Sequence, residues 1–136
     1  LGTWVKEQED TCYICNFYKD TYARYLDTFF ELLKKNQEFL PLFETCKGFC
    51  IPHFGDLVET AESALSDKEK KTFYAILFPM MEQNMQRLSD DLDWFCDKFD
   101  YRNKDADWRT SKDALPRGMQ KAAGGYPADE PYTMDK

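Results

Sequence analysis

Two short motifs in this sequence combine residue types that bind metals. Two residues separate Cys12 from Cys15, and two residues also separate Cys50 from His53. Thiolate sulfur and imidazole nitrogen are preferred zinc ligands, and paired ligands at such spacings are typical of a closed tetrahedral site with three cysteines and one histidine. The sequence therefore predicts a structural zinc site made of Cys12, Cys15, Cys50 and His53.

The first pair also has a redox interpretation, in which Cys12 and Cys15 form a reactive dithiol. Glu7, Glu9 and Asp10 precede this pair, and nearby negative charge raises the pKa of a thiol. We therefore expect the Cys12 thiol to have a raised pKa, which disfavours a redox role. Free thiols beside a surface histidine are a further alternative.

The other two cysteines have simpler interpretations. The number of cysteines permits an iron–sulfur cluster with Cys46 as one ligand. Such a cluster leaves His53, the only histidine in the chain, without a role. We expect Cys46 to be either a thiol next to the metal ligands or a half-buried thiol. Cys96 is expected to be a small buried hydrophobe beside the seam of a long helix.

The composition limits the classes of partner. The chain has 136 residues and a net charge of −7, so a nucleic-acid partner is not expected. No apolar run approaches the length that spans a bilayer, so membrane insertion is not expected either. Five cysteines at these spacings do not resemble a secreted disulfide framework. A cytoplasmic location fits these features best.

One segment departs from the acidic average. Residues 102–121 carry six basic side chains against three aspartates. This local excess could bind a small ligand or an anion. A solvated loop is the simpler alternative. The basic side chains are Arg102, Lys104, Arg109, Lys112, Arg117 and Lys121.

Helical periodicity runs through the elements that must position these residues. Apolar residues recur at spacings of three and four in residues 17–33 and 54–65, and Pro52 suits the first turn of the second helix. Ser66 and Glu69 form a capping box that starts a third helix. In that helix, residues 74–99 predict a single apolar seam from Tyr74 and Phe78 to Phe99. Pro79 predicts a kink or a break between residues 75 and 80.

The remaining segments complete the predicted organisation. A turn or short helix is expected in residues 37–47, a polar loop in residues 100–112 and a short helix in residues 113–123. The fold class is all-α: a small bundle of three main helices plus a short C-terminal helix, stapled by zinc. Residues 1–123 form the predicted zinc-stabilised domain, and residues 124–136 a flexible tail.

Five strings of this sequence are distinctive. They are Cys12-Tyr-Ile-Cys15, Lys47-Gly-Phe-Cys-Ile-Pro-His-Phe54, Asp100-Tyr-Arg-Asn-Lys-Asp-Ala106, Arg24-Tyr-Leu-Asp-Thr-Phe-Phe30 and Asp113-Ala-Leu-Pro-Arg117. Together they resemble an uncharacterised bacterial family, known only as a domain of unknown function and found mostly in anaerobic Gram-positive bacteria. Members look longer, with an N-terminal half that carries similar pairs. The resemblance implies a helical fold, a metal and a chain that corresponds to the C-terminal half.

These observations favour a non-enzymatic, zinc-binding helical domain for interaction or scaffolding. If His53 binds a metal, no other imidazole is available as a general base, and a closed shell leaves no position for activated water. The expected partner is a second copy of the chain or the N-terminal half of the same protein.

Overall fold

The computed structural model describes residues 2–9 and 11–125, so most of the predicted tail at 124–136 lies outside the described residues. The described residues form helices and no strand, which confirms the predicted all-α class. The helices are α1 (Gly2–Glu9), α2 (Tyr13–Lys35), α3 (Phe39–Glu44), α4 (Ile51–Ala64), α5 (Asp67–Asp97) and α6 (Ala114–Ala123), with a short 3-10 turn at Tyr101–Asn103. The sequence periodicity did not predict α1.

Helices α4 and α5 form an antiparallel hairpin. At its turn the Glu69 carboxylate accepts a hydrogen bond from the Ser66 backbone N–H at 2.9 Å, as the predicted capping box requires. Near the turn, Lys70 pairs with Glu62 at 2.8 Å. At the far end the rings of Phe54 and Phe78 lie 6.0 Å apart. The hairpin therefore brings the start of α4 beside the middle of α5.

Helices α2 and α4 run in the same direction. Near their starts, the Tyr22 and His53 rings have centroids 5.4 Å apart. Near their ends, the Lys34 ammonium donates a hydrogen bond to the backbone carbonyl of Ala64. Because early residues contact early residues and late ones contact late ones, both helices begin at the same end of the bundle. This arrangement places the two predicted metal-binding motifs at that end.

The core lies where α2, α3, α4 and the first half of α5 meet. Phe30 and Phe73 are almost fully buried, and Phe73 stacks on Phe43 with ring centroids 5.5 Å apart. Aromatic burial of this kind contributes a large part of the free energy of folding. The buried cluster comprises Phe30, Phe43, Leu57, Ala61, Leu65, Phe73, Leu77, Met80 and Met81.

The predicted apolar seam of the long helix is only partly correct. Phe78 is 48% exposed and Phe99 is 75% exposed, whereas Phe73 and Leu77 are buried. A heptad seam assumes one partner helix, but α5 packs against several. Its Phe73 faces α3, whereas Tyr74 donates a hydrogen bond to Glu62 of α4. The buried face of α5 therefore coincides only in part with the predicted seam.

Pro79 does not break the long helix. Helix α5 continues from Asp67 to Asp97 with Pro79 inside it, so the predicted break is wrong. Proline removes the hydrogen bond that the backbone carbonyl of Ala75 would otherwise receive. Burial of Met80 and Met81 on the following turn anchors the helix beyond the proline.

The segment between α5 and α6 is organised by a buried lysine. Lys98 is only 6% exposed, and its ammonium donates hydrogen bonds to the backbone carbonyls of Asn103 at 2.6 Å and Lys104 at 3.0 Å. It also donates to the carbonyl of Ala106 and lies 5.2 Å from the centre of the Trp108 ring. Hydrogen bonds to the Lys98 ammonium therefore order the segment that was predicted to be a polar loop.

Candidate functional site

Each predicted metal-binding pair occupies the same two positions of a helix. Cys12 is the N-cap of α2 and Cys15 is its third residue. Cys50 is the N-cap of α4 and His53 is its third residue. Both N-cap residues have extended backbone conformations. Both pairs therefore lie beside the backbone N–H groups that have no partner within the first turn of a helix.

The second pair is in direct contact. Cys50 Sγ and His53 Nδ1 are 3.2 Å apart, and both side chains are half-buried. The Tyr22 ring lies against His53, and its hydroxyl donates a hydrogen bond to Asp56 Oδ2 at 2.8 Å. Burial and the Asp56 carboxylate raise the pKa of Tyr22 well above its ordinary value. Tyr22 therefore remains neutral, and its ring packs against the imidazole of His53.

The first pair lies at the surface. Both thiols are exposed, and the backbone N–H and thiol of Cys15 stabilise the Cys12 thiolate, which lowers the pKa of Cys12 below its ordinary value. The expectation of a raised pKa at Cys12 was therefore wrong. The local geometry of a helix start outweighs the acidic residues that precede it in sequence.

The two pairs do not form one cluster. Among residues 2–9 and 11–125, no group of three or more His, Cys, Asp or Glu side chains is close enough to hold a metal ion. Helix register explains the separation. Tyr22 and His53 are in contact, so they mark the same level of the two helices. Cys15 precedes Tyr22 by seven residues, which is about 10 Å of helix, whereas Cys50 precedes His53 by only three. Helix α2 thus extends beyond the start of α4.

The donor set nevertheless fits zinc. Seven residues make two helical turns, so Cys15 shares a face of α2 with Tyr22, the residue that contacts α4. Two ligands on one zinc ion would lie about 3.6 Å apart given usual bond lengths, which is close to the Cys50 and His53 separation of 3.2 Å. A shared ion would require the first turns of α2 to approach Cys50.

A cleft of about 610 Å³ opens beside Cys50 and His53. Residues around Gly48, one face of α5 and the last turns of α6 form its walls. Six lysine, arginine and amide side chains contribute to the lining, and Phe49 and Leu88 provide apolar surface. The polar lining comprises Lys47, Asn84, Arg87, Arg117, Gln120 and Lys121.

Two glycines shape this cleft. Gly48 has φ of 72° and Gly124 has φ of 70°, a region that favours glycine. A Cβ atom at Gly124 would lie 3.0 Å from Cys50 Sγ, and one at Gly48 would lie 3.2 Å from Lys121 Nζ. Both positions therefore let the backbone approach a reactive or charged group closely.

The cations of the cleft differ in how they are paired. Arg117 forms ion pairs of 2.9 Å with both Asp91 and Asp113. Lys121 donates instead to the backbone carbonyl of Lys47 at 3.2 Å. Burial lowers the pKa of Lys121; the nearby Cys50 opposes this shift, and the Arg87 charge adds to it.

The basic residues of 102–121 divide between several places. Arg117 and Lys121 line the cleft, whereas Arg102 pairs with Asp100 at 2.6 Å and Arg109 lies 4.2 Å from the centre of the Trp94 ring. Sequence reasoning did not identify Arg87, because it is separated from this segment in sequence. Only the antiparallel packing of α6 on α5 brings it beside Lys121.

The two remaining cysteines differ from each other. Cys46 is half-buried, as predicted, and its thiol lies 3.2 Å from the sulfur of Met80. Cys96 is exposed, so the expectation of a buried hydrophobe was wrong. Its face of α5 is not covered, because the packed face of the helix differs from the predicted seam.

Comparisons with known proteins give one match. A family model described as a family of unknown function (DUF6062) matches residues 1–129. No curated protein and no solved structure matches the chain. In the described part of the chain, none of the helices combines the length and apolar character needed to cross a membrane.

Proposed function

The chain belongs to this family of unknown function, and we propose that it is a zinc-stabilised helical interaction domain whose ligands are Cys12, Cys15, Cys50 and His53. One observation carries the proposal. The two pairs occupy equivalent positions at the starts of two helices that begin at the same end of the bundle. Family membership agrees with the resemblance to an uncharacterised domain family.

The proposed role of the ion is structural. Bound zinc supplies a cross-link between the two helix starts. Cys50 and His53 are already in contact and anchored by Tyr22, so they form the preorganised half of the site. Cys12 and Cys15 form the half that must move, at the exposed start of α2. Metal binding would therefore fix the orientation of this protruding segment.

The exposed start of α2 has the features of a contact surface. Tyr13 and Ile14 are 80% and 75% exposed, and Phe17 and Tyr18 are also largely exposed. The Tyr13 and Phe17 rings stack with centroids 6.4 Å apart. Contiguous exposed apolar side chains of this kind mark interaction sites in soluble proteins. We propose a second copy of the chain as the partner, joined through this face of α2.

Zinc content measured by mass spectrometry under native conditions tests the proposal. The wild-type chain should carry one zinc ion, and Cys15→Ala, Cys50→Ala and His53→Ala should each lose it. Cys96→Ala is the matched control, because it removes an exposed thiol outside both pairs. Full zinc retention in Cys50→Ala would refute the assignment. A zinc-free wild-type chain with a fast-reacting Cys12 thiol would instead support the dithiol alternative.

A further inference from the structure

The lining of the 610 Å³ cleft is unusual for this protein in its charge. The chain carries 25 acidic residues and only 18 basic ones. Among the described residues, those that line the cleft include four lysines or arginines and no aspartate or glutamate. A concave site with one sign of charge concentrates ligands of the opposite sign. The cleft is therefore a positive site within an acidic domain.

Two of these cations are paired less closely than Arg117. Within the described residues, Arg87 donates to the amide oxygen of Asn84 and Lys121 donates to a backbone carbonyl, although the Arg87 charge also lowers the pKa of Asp91. Burial lowers the pKa of Lys121, the nearby Cys50 raises it and Arg87 lowers it. A bound anion between Arg87 and Lys121 would place a charge of opposite sign beside both.

We infer that this cleft binds a small organic anion, whose phosphate or carboxylate group lies between Arg87 and Lys121. The amide of Gln120 lines the same cleft and supplies further hydrogen-bond donors, whereas the amide of Asn84 already donates to the Met80 carbonyl. Phe49 and Leu88 offer apolar surface for the organic part of the ligand. The volume of about 610 Å³ lies within the range of small-molecule sites in proteins.

Neighbouring features support a formed site. The cleft is bordered by Gly48 and Gly124, whose positive φ angles permit the close approach of backbone to Lys121 Nζ and Cys50 Sγ. Arg117 is held by two aspartates and therefore provides a fixed wall. The inference does not depend on zinc, because Arg87 and Lys121 are not among the proposed metal ligands.

Calorimetric titration of the intact chain with three probes tests the inference. The probes are inorganic phosphate, phenyl phosphate and benzoate. Phenyl phosphate or benzoate should bind saturably and more tightly than inorganic phosphate, because the ring contacts Phe49 and Leu88. The stronger of the two organic probes distinguishes a phosphate ligand from a carboxylate ligand.

Charge-removing variants locate the binding. Arg87→Gln and Lys121→Gln should each weaken the better organic probe by about tenfold, the expected loss of one charge-assisted hydrogen bond. Lys112→Gln, an exposed lysine outside the cleft, should change affinity less than twofold. If Arg87→Gln does not fold, Lys121→Gln decides the question. Absence of saturable binding, or an equal loss in Lys112→Gln, would overturn the inference.

Discussion

Cys50 Sγ and His53 Nδ1 lie 3.2 Å apart across the first turn of α4. The Tyr22 ring also packs against this imidazole, with ring centroids 5.4 Å apart, so two neighbours hold its orientation. The pair also borders the basic cleft. One helix start therefore takes part in both proposals, although different side chains carry each of them.

Removal of metal should loosen the helix starts before the core. We expect a strong chelator to lower the melting temperature and to increase hydrogen exchange first in residues 11–17 and 47–55, because the proposed ligands are there. The segment from Phe73 to Met81 should exchange last, since it is the most buried part of α5. Acid should act in the same direction, because protons compete with zinc for thiolates. Unchanged melting and exchange after chelation would contradict a structural metal.

Gly124→Ala should destabilise the fold by about 1–2 kcal/mol, because alanine is strained in the left-handed region. The added methyl group would also press on Cys50 Sγ. Urea denaturation measures the loss. Gly125→Ala is the matched control, since no atom lies within 4 Å of a Cβ at that position. Equal effects of the two substitutions would contradict both the backbone strain at Gly124 and its contact with Cys50.

Lys98→Met should unfold the segment between α5 and α6 locally. The methionine keeps the length of the side chain but leaves three carbonyl groups without their cation. We expect a loss of about 2–4 kcal/mol, the usual scale for hydrogen bonds to a buried charged group. Hydrogen exchange in residues 103–111 should rise strongly. Lys104→Met, which changes an exposed lysine, should leave exchange there unaltered.

Acid should weaken the junction between α5 and α6 through Asp91. Burial opposes ionisation of this carboxyl group, but hydrogen bonds from Thr110 and Arg117 outweigh it and lower the pKa of Asp91 below its ordinary value. A lowered folded-state pKa gives stability that is present above the unfolded pKa, near 3.8, and lost as the pH falls through the folded value. Urea midpoints should fall in that acidic range, and less so in Asp91→Asn. An identical pH profile in the variant would exclude this role.

The exposed start of α2 should mediate self-association. Light scattering should report a dimer for the wild-type chain and a monomer for the double variant Tyr13→Ser with Phe17→Ser, because stacked aromatic rings are lost from the proposed contact. Tyr101→Ser removes another exposed aromatic residue, remote in sequence, and should leave the dimer intact. A wild-type chain that stays monomeric at all concentrations would rule out this interface.

Local sequence signals predicted the helices well. The capping residues Ser66 and Glu69, and Pro52 in the first turn of α4, fix helix starts through contacts within a few residues. The buried face of α5 could not be predicted in the same way. It depends on which helices surround Phe73, and a heptad pattern records only one partner. The error at Cys96 has the same cause.

The site was predictable only in its short-range part. Spacing alone places Cys12 with Cys15 and Cys50 with His53, because both pairs lie within one turn of a helix. The distance between the pairs depends on the register of α2 on α4, which no local motif encodes. The cleft is less predictable still, since Arg87 and Lys121 come from different helices.

The shared direction of α2 and α4 has a consequence for the order of folding. Residues 36–50 return the chain to the end of the bundle at which α2 begins, and α4 starts there. Because of this return, α2 and α4 cannot form as a local hairpin. The antiparallel pair α4 and α5 is joined directly at Ser66. Its contacts therefore link residues that are close in sequence. We expect this pair to form the folding nucleus, with α2 docking onto it late. The start of α2, with Cys12 and Cys15, would then take its place only after the rest of the chain has folded.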